Sequence, residues 1–177
     1  LNSKYNFLVF LDMNTLPYSK NWLKINFKYL LSNKLDGISG QTYYLANNLR
    51  EKIIRASTFG KILLNTIPGS IFSKKTVMKV GFFDAKTRAG EDTEWLLRLS
   101  TYNLKVKKSL NPVYYKGLYN INYFIIIKKW FRNYYHSSRL PHMLFQKNLN
   151  IFGLFLVIFF LVYNLNQIIL QWQLPGQ

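Results

Sequence analysis

The segment Gly90-Glu91-Asp92-Thr93-Glu94-Trp95 holds three of the chain's seven acidic residues. The apolar residues that follow it, Leu96, Leu99 and Tyr102, recur with Trp95 at helical spacing, so the acidic residues are predicted to open an amphipathic helix. Acidic side chains in a first helical turn are stabilised by the N-terminal end of the helix dipole, which is one interpretation of the cluster. A role in chemistry is the other interpretation, and it requires partner residues from elsewhere in the chain.

Length and composition favour one ordinary domain with a short appendage. The 177 residues include 24 Lys and Arg against 7 Asp and Glu, a net charge of +17, and 18% are aromatic. Such a charge suits either nucleic acid or an anionic membrane surface. Because the chain has no cysteine, disulfides and thiolate metal sites are excluded, which is consistent with a reducing compartment.

The first predicted strand covers residues 6–11 (Asn-Phe-Leu-Val-Phe-Leu), an apolar run typical of a fully buried strand. A core strand so close to Leu1 leads us to expect a chain that begins in mid-domain, as a fragment. Asp12 follows the strand, at the position where open α/β sheets bind ligands and where a carboxylate can hold a sugar hydroxyl or a divalent cation. A carboxylate that merely begins a turn remains the alternative.

Strands and helices alternate along the next hundred residues. This alternation predicts α/β layers rather than a barrel or a sandwich. The predicted elements are a helix from an N-cap at Ser19 to Ser32, a strand at 36–45, a helix at 46–59, an extended piece at 65–72, a short helix capped by Ser73 and closed by Gly81, and strands at 104–107 and 113–115.

An ordered series of motifs resembles the family-2 glycosyltransferases. The series consists of Phe10-Leu11-Asp12-Met13-Asn14-Thr15, then Pro68-Gly69-Ser70-Ile71-Phe72, then Val80-Gly81-Phe82-Phe83-Asp84, and finally the acidic segment at 90–95 with Leu96-Leu97-Arg98-Leu99. The resemblance runs from about Phe7 to Val113. It implies a partial GT-A fold over residues 1–116, a Rossmann-like mixed sheet flanked by helices that forms the acceptor-side half of the catalytic domain. The strands that bind the nucleotide base would precede Leu1, so the fragment is expected to bind donor poorly and to be inactive by itself.

The resemblance also implies roles for individual residues. Asp12 would contact the nucleotide-sugar donor or its Mg²⁺ or Mn²⁺ ion, and Asn14 stands where the family has a second acidic residue. An amide oxygen can ligate such a cation but brings no charge, so metal affinity should be weakened. Asp92 would be the catalytic base with Glu91 shaping the acceptor pocket, while Gly69 and Ser70 would face the acceptor and the diphosphate.

A base at the position of Asp92 suits an inverting transfer. Such a reaction needs one base within hydrogen-bond reach of the acceptor hydroxyl and positive charge near the departing diphosphate. The helix N-terminus is expected to favour the ionised form of Asp92.

Residues 117–148 differ in character from the α/β region. Apolar and aromatic residues alternate there with Lys128, Lys129 and Arg132, a pattern typical of an amphipathic helix at a membrane interface. Trp130 and Arg132 loosely resemble a family segment that closes over the acceptor. An interfacial or core helix with no catalytic part is the favoured alternative.

Residues 149–172 are predicted to cross the membrane once or to re-enter it. The stretch from Leu149 to Leu170 would reach about 33 Å as a helix, but it includes the amide side chains of Asn164, Asn166 and Gln167. Charged residues are absent after Lys147, so the positive-inside bias places the α/β region on the cytoplasmic face of the cell inner membrane.

The function expected from the residues and the resemblance is an inverting glycosyltransferase. It would transfer sugar from a nucleotide donor to a lipid-linked or surface-polysaccharide acceptor beside anionic membrane lipid. The alternatives are a non-catalytic, basic membrane-associated protein and a degenerate transferase. Nucleic-acid binding is disfavoured because the basic residues are spread along the chain rather than concentrated on one element.

Overall fold

The computed structural model describes residues 4–58, 60, 62–84, 89–118, 122–137 and 141–165. Strands and helices alternate through most of this range. In chain order they are β1 (Phe7–Phe10), β2 (Thr15–Pro17), α1 (Trp22–Ser32), β3 (Gly37–Tyr44), α2 (Leu49–Thr58), β4 (Leu64–Ser73), α3 (Lys74–Val80), α4 (Glu91–Thr101), β5 (Val106–Lys108), β6 (Val113–Tyr115), α5 (Tyr123–Ser137) and α6 (Pro141–Tyr163).

Six strands in the described ranges form one mixed sheet with the order β1-β4-β3-β6-β2, and β5 also pairs with β3. The β1–β4, β3–β4 and β2–β6 pairs are antiparallel, whereas β3 runs parallel to β5 and β6. Helices flank the sheet, so the predicted α/β class is confirmed.

Two of the three apolar clusters in the described residues hold α1, α3 and α4 to the sheet. One joins Phe72 of β4 to residues of α3 and α4, with Trp95 fully buried at its centre. The other packs Trp22 and Leu30 of α1 against Ile38 of β3 and neighbouring strands. The sheet therefore has helices on both sides, and α4 is fixed against β4 beside the end of β1.

The prediction of a fully buried strand at residues 6–11 is wrong. In the structure β1 lies at the edge of the sheet and pairs only with β4 within the described residues. Val9 and Leu11 are 42% and 53% exposed. A continuous apolar run does not reveal the position of a strand in a sheet, since an edge strand can also bury both of its faces in part. Here Phe7 packs on the cluster that contains Trp22 of α1, and Leu8 and Phe10 pack on the cluster that contains Trp95 of α4.

Several helix boundaries follow the predicted signals. The Ser73 hydroxyl accepts a hydrogen bond from the Thr76 amide at 3.0 Å and caps α3, as predicted. Gly81 closes the same helix with φ of +93°, a conformation that favours glycine. The expected cap at Ser19 is wrong, because α1 begins after Asn21 and Asn21 makes no side-chain capping bond.

The carboxyl-terminal helices expose most of their apolar side chains. Phe124 and Phe131 of α5 are about three-quarters exposed, and residues 154–163 of α6 are exposed throughout. Among the described residues, none of the helices combines the length and the apolar character needed to cross a bilayer. The predicted crossing at 149–172 therefore has no support from residues 149–165, and residues 166–172 lie outside the described range.

Candidate active site

A cleft of about 360 Å³ opens where the end of β1, the first half of β4 and the N-terminus of α4 meet. Three carboxylates line it: Asp12 from the β1 side, and Glu91 and Asp92 from the first turn of α4. The remaining lining residues are apolar: Phe10, Leu11, Ile67, Pro68 and Phe83. The structure thus brings together, across one hollow, acidic residues that lie far apart in the sequence.

Asp12 is held in the cleft by a tight turn. Its amide donates to the Thr15 hydroxyl at 3.0 Å, and that hydroxyl donates back to the Asp12 carbonyl at 2.7 Å. The Thr15 amide also donates to the same carbonyl at 3.0 Å. The turn and the ligand position, which were alternatives in the sequence, are therefore compatible. The turn uses the Asp12 backbone and Thr15, and the Asp12 carboxylate lines the cleft.

The N-terminus of α4 is positioned by Trp95. This side chain is fully buried, stacks on Phe83 at 5.4 Å between ring centroids, and donates from Nε1 to the Gly81 carbonyl at 2.7 Å. Gly90, with φ of +85°, turns the chain into the helix. Because Trp95 lies one helical turn after Glu91 and Asp92, its anchoring fixes where these two carboxylates point.

Glu94 has a structural role. Its carboxylate forms an ion pair and hydrogen bonds with Arg98. Arg98 also donates to the carbonyls of Val80 at 2.7 Å and Phe82 at 2.9 Å, which ties α4 to the end of α3. Of the three acids in the segment, one therefore stabilises the fold and two remain for the cleft.

The pKa of Asp92 is raised from 3.8 to about 6. Burial is the main cause, Glu91 adds to it through like-charge repulsion, and Asp12 contributes less. A hydrogen bond from the Ile67 amide acts in the opposite direction. The expectation that the helix N-terminus would favour ionisation is wrong in direction, because desolvation and a neighbouring carboxylate outweigh the dipole. At pH 7 the group is still mostly ionised, with a pKa in the range that suits a general base.

Glu91 carries an oxygen without a partner. Its Oε2 atom is buried and accepts no hydrogen bond from the residues that the structure describes. Leaving a buried acceptor without a hydrogen bond costs about 1 to 3 kcal/mol.

Three other predicted site residues lie elsewhere in the described part of the molecule. Asn14 is exposed and is absent from the lining of the cleft, while its backbone carbonyl accepts a hydrogen bond from Lys116. Trp130 and Arg132 are on the exposed surface of α5 and do not line this cleft either.

Ser70 and Gly69 act within the sheet. The Ser70 side chain is fully buried, accepts from the Gly40 amide at 2.7 Å and donates to the Thr66 carbonyl at 3.1 Å. Gly69 has φ of +84°, and a Cβ there would lie 3.1 Å from Val113. Their neighbour Pro68, not they, lines the cleft.

The acidic side chains of the cleft are compatible with a divalent cation that takes most of its ligands from phosphates and water. Within the described ranges there is no group of three or more His, Cys, Asp or Glu side chains placed to hold a metal ion. The Asp12 carboxylate is a hard oxygen donor of the kind that Mg²⁺ and Mn²⁺ accept. Phosphates and water would complete the coordination, as is usual for Mg²⁺ bound with a nucleotide.

Sequence reasoning missed one backbone contributor to the site and one tyrosine that lies outside its lining. The Ile67 amide donates to Asp92 only because β4 packs beside α4, and the pattern of side chains in a sequence does not predict a backbone donor. Tyr44, at the end of β3, lies near enough for Asp12 and Asp92 to influence its hydroxyl: burial, then Tyr115 and these two carboxylates, raise the pKa of Tyr44 to about 12. Its place at a strand end is the same signal that singled out Asp12.

No protein-family model matches the chain, and no curated protein matches it. The resemblance to family-2 glycosyltransferases therefore rests on the motifs quoted above.

Proposed function

We propose that this protein is an inverting glycosyltransferase, and that the cleft between Asp12 and Asp92 is its reaction site. The observation that carries the proposal is the convergence of Asp12, Glu91 and Asp92 on one hollow. The raised pKa of Asp92 supports it, because strongly shifted carboxylates in clefts are candidates for general bases. The order of motifs along the chain supports it independently.

In this reaction an acceptor hydroxyl attacks the anomeric carbon of the donor sugar. A new C–O bond forms as the bond to the diphosphate breaks, with inversion at that carbon. The Asp92 carboxylate accepts the hydroxyl proton, and the nucleoside diphosphate leaves with the electron pair of the broken bond. One base is enough, and no covalent intermediate with the protein is needed.

Asp12 would face the diphosphate end of the donor. A divalent cation bound there would neutralise charge on the leaving group. The turn with Thr15 fixes the Asp12 backbone at the edge of the cleft. Rigid placement of this kind lowers the cost of organising the site during the reaction.

The acceptor is proposed to be lipid-linked or a surface-polysaccharide precursor at the cytoplasmic membrane face. The support is α5, whose exposed Phe124, Ile125 and Phe131 lie on the same helix as Lys128 and Lys129. Apolar side chains next to lysines favour binding at the interface of an anionic membrane. The predicted segment at 149–172 would add to this attachment.

The transferase proposal is tested with the full gene product that contains this chain, in membrane vesicles. Release of nucleoside diphosphate is measured with UDP-, GDP- and dTDP-linked sugars, with and without Mg²⁺ or Mn²⁺. Asp92→Asn should abolish release and Asp12→Asn should lower it, whereas Asp36→Asn should leave it unchanged. Asp36 is the matched control because it lies outside the cleft and its carboxylate accepts a hydrogen bond from the Lys105 amide. Turnover that survives Asp92→Asn would reject the proposal.

A second function, a non-catalytic basic membrane-associated protein, is favoured by the exposed apolar surfaces of α5 and α6. It predicts binding to anionic vesicles with no release of nucleoside diphosphate from any donor. Lys128→Glu together with Lys129→Glu should weaken vesicle binding under either function, since each lysine contributes about 1 kcal/mol near such a surface. Turnover therefore decides between the two.

A further inference from the structure

Helix α2 carries a short apolar stripe on its exposed side. Leu49 and Ile53 lie one helical turn apart and are 74% and 50% exposed. The other side of α2 packs on the fold: Ile54 is buried in a cluster against which Tyr44 packs, and Arg55 is buried and donates to the Tyr44 carbonyl at 3.1 Å. The stripe therefore lies on the side of α2 that is turned away from the core.

Basic residues flank this stripe. Successive residues of a helix are rotated by about 100°, so Arg50 and Lys52 lie on opposite sides of the line from Leu49 to Ile53. Both basic side chains are exposed. Long basic side chains next to an apolar stripe can keep their charges in the headgroup layer while the stripe enters the membrane interface.

The acidic residue of α2 is used inside the fold. Glu51 is 3% exposed, and its carboxylate accepts from the Asn47 amide at 2.7 Å and from the Asn48 side chain at 2.9 Å. The sequence has no Asp or Glu after Glu94, so α5 contributes no acidic side chain. The exposed charged residues of α2 and α5 are therefore all basic: Arg50, Lys52, Lys128, Lys129 and Arg132.

Helices α2 and α5 adjoin each other although they are far apart in the sequence. Ile54 and Ile126 belong to one buried cluster, and the Arg50 guanidinium lies over the Tyr123 ring, 4.6 Å from its centroid. Because α5 exposes apolar side chains beside its lysines, the apolar and basic character of α2 continues onto a neighbouring helix.

The combination of charge and apolar exposure selects the kind of partner. A nucleic acid would pair with the basic groups but would leave the exposed Leu49, Ile53 and Phe124 side chains in water. A bilayer with anionic lipid matches both properties, because its phosphates attract the basic side chains and its acyl boundary accepts the apolar ones.

We propose that α2 is a second lipid-contacting helix, which inserts Leu49 and Ile53 into the interface of an anionic membrane and places Arg50 and Lys52 at the lipid phosphates. This inference goes beyond the proposed function, which assigns membrane contact to α5 and to the segment at 149–172. Since α2 directly follows β3 and packs on it, this contact would hold the α/β region itself against the bilayer.

A fluorescent probe at a single residue tests this contact separately from attachment of the rest of the chain. The chain has no cysteine, so Ile53→Cys can be labelled with an environment-sensitive fluorophore. The full chain is reconstituted in phosphatidylcholine vesicles with or without phosphatidylglycerol, and quenching by nitroxide-labelled lipid is measured. With phosphatidylglycerol we expect a blue-shifted emission and quenching at least about twofold stronger than at the control position.

Met78→Cys supplies the control position, and Phe124→Cys supplies a reference on α5. Met78 is an apolar residue of α3 that is 60% exposed, so a label there meets the same solvent without the α2 surface. We expect weak quenching at this position in both kinds of vesicle.

Charge reversal on α2 tests the basic residues. Arg50→Glu together with Lys52→Glu should reduce the quenching of the label at residue 53 to the level of the label at residue 78. Lys107→Glu together with Lys108→Glu is the matched control, because it makes the same change in net charge on exposed residues of β5 and should leave the quenching unchanged. Circular dichroism checks folding, and Lys52→Glu alone, which keeps the contact between Arg50 and Tyr123, should give a partial decrease.

Equal quenching of the labels at residues 53 and 78 would overturn the proposal, and so would quenching that is the same with and without phosphatidylglycerol. An equal loss in the β5 control would indicate a response to net charge alone and would also overturn it. A larger blue shift with RNA than with vesicles would assign the surface to nucleic acid instead.

The proposed function and this inference can fail separately. Diphosphate release that depends on Asp92, with no quenching of the label at residue 53, would reject only the lipid contact of α2. Quenching that depends on phosphatidylglycerol, without release from any donor, would reject the transferase and leave the lipid contact.

Discussion

Replacing Asp92 by asparagine is expected to stabilise the folded protein at neutral pH. The carboxylate is ionised there, partly buried, and next to Glu91, and its pKa is raised from 3.8 to about 6. Asparagine keeps an oxygen that can accept from the Ile67 amide but carries no charge. The substitution therefore removes a penalty while preserving the hydrogen bond.

The sign follows from proton binding. Between about pH 4 and pH 6 the folded state holds the Asp92 proton more tightly than the unfolded state, so this group's contribution to the free energy of unfolding falls as pH rises through that window. A pKa of about 6 against 3.8 corresponds to about 3 kcal/mol, at about 1.4 kcal/mol per pKa unit. Because Asp92 retains some solvent contact, we expect a gain of about 1 to 3 kcal/mol above pH 6 and almost none at about pH 4.

Urea denaturation followed by tryptophan fluorescence measures the effect at both pH values, in a non-denaturing detergent. Glu51→Gln is the opposing control: the Glu51 carboxylate is buried and accepts from the Asn47 amide at 2.7 Å and from the Asn48 side chain at 2.9 Å. Its replacement should destabilise the protein by about 1 to 2 kcal/mol, because an amide cannot accept through both of its ends. An Asp92→Asn chain that is no more stable at about pH 8 than the original, or a gain that is the same at about pH 4, would refute this account of the Asp92 environment.

Three further results are expected. For the transferase, kcat/KM should rise about tenfold per pH unit below about pH 6 and level off above it, because only ionised Asp92 accepts the proton; a flat profile would contradict that role. Arg98→Gln should lower the free energy of unfolding by about 1 to 3 kcal/mol, because it removes the charged hydrogen bonds to two carbonyls and to Glu94. If this decrease disappears at high salt, Arg98 forms only a surface ion pair. In the same urea assay Gly69→Ala should lower the free energy of unfolding by more than about 1 kcal/mol, because φ of Gly69 is +84° and the added Cβ would crowd Val113. Gly153→Ala is the control: it has open space around it and should be neutral or raise the free energy of unfolding by up to about 1 kcal/mol.

The elements of the fold were largely predictable from local signals. The strand that became β3, the cap at Ser73 and the helix opened by the acidic segment depend on short-range periodicity and on bonds within one turn. The position of β1 in the sheet was not predictable from its apolar run, because strand order depends on which edges pair across long stretches of sequence. The buried environment of Ser70 escaped prediction for the same reason: its partners, Gly40 and Thr66, are brought together by strand pairing.

By itself, the sequence determined that Asp12 follows a strand and that Glu91 and Asp92 begin a helix, because the signals for the end of a strand and the start of a helix come from neighbouring residues. Only the tertiary structure decided that these three carboxylates share a cleft, and that Glu94 forms an ion pair with Arg98 instead of lining it. It also decided the charge behaviour of Asp92, because desolvation and like-charge repulsion depend on what packs around a carboxylate, not on its place in a helix.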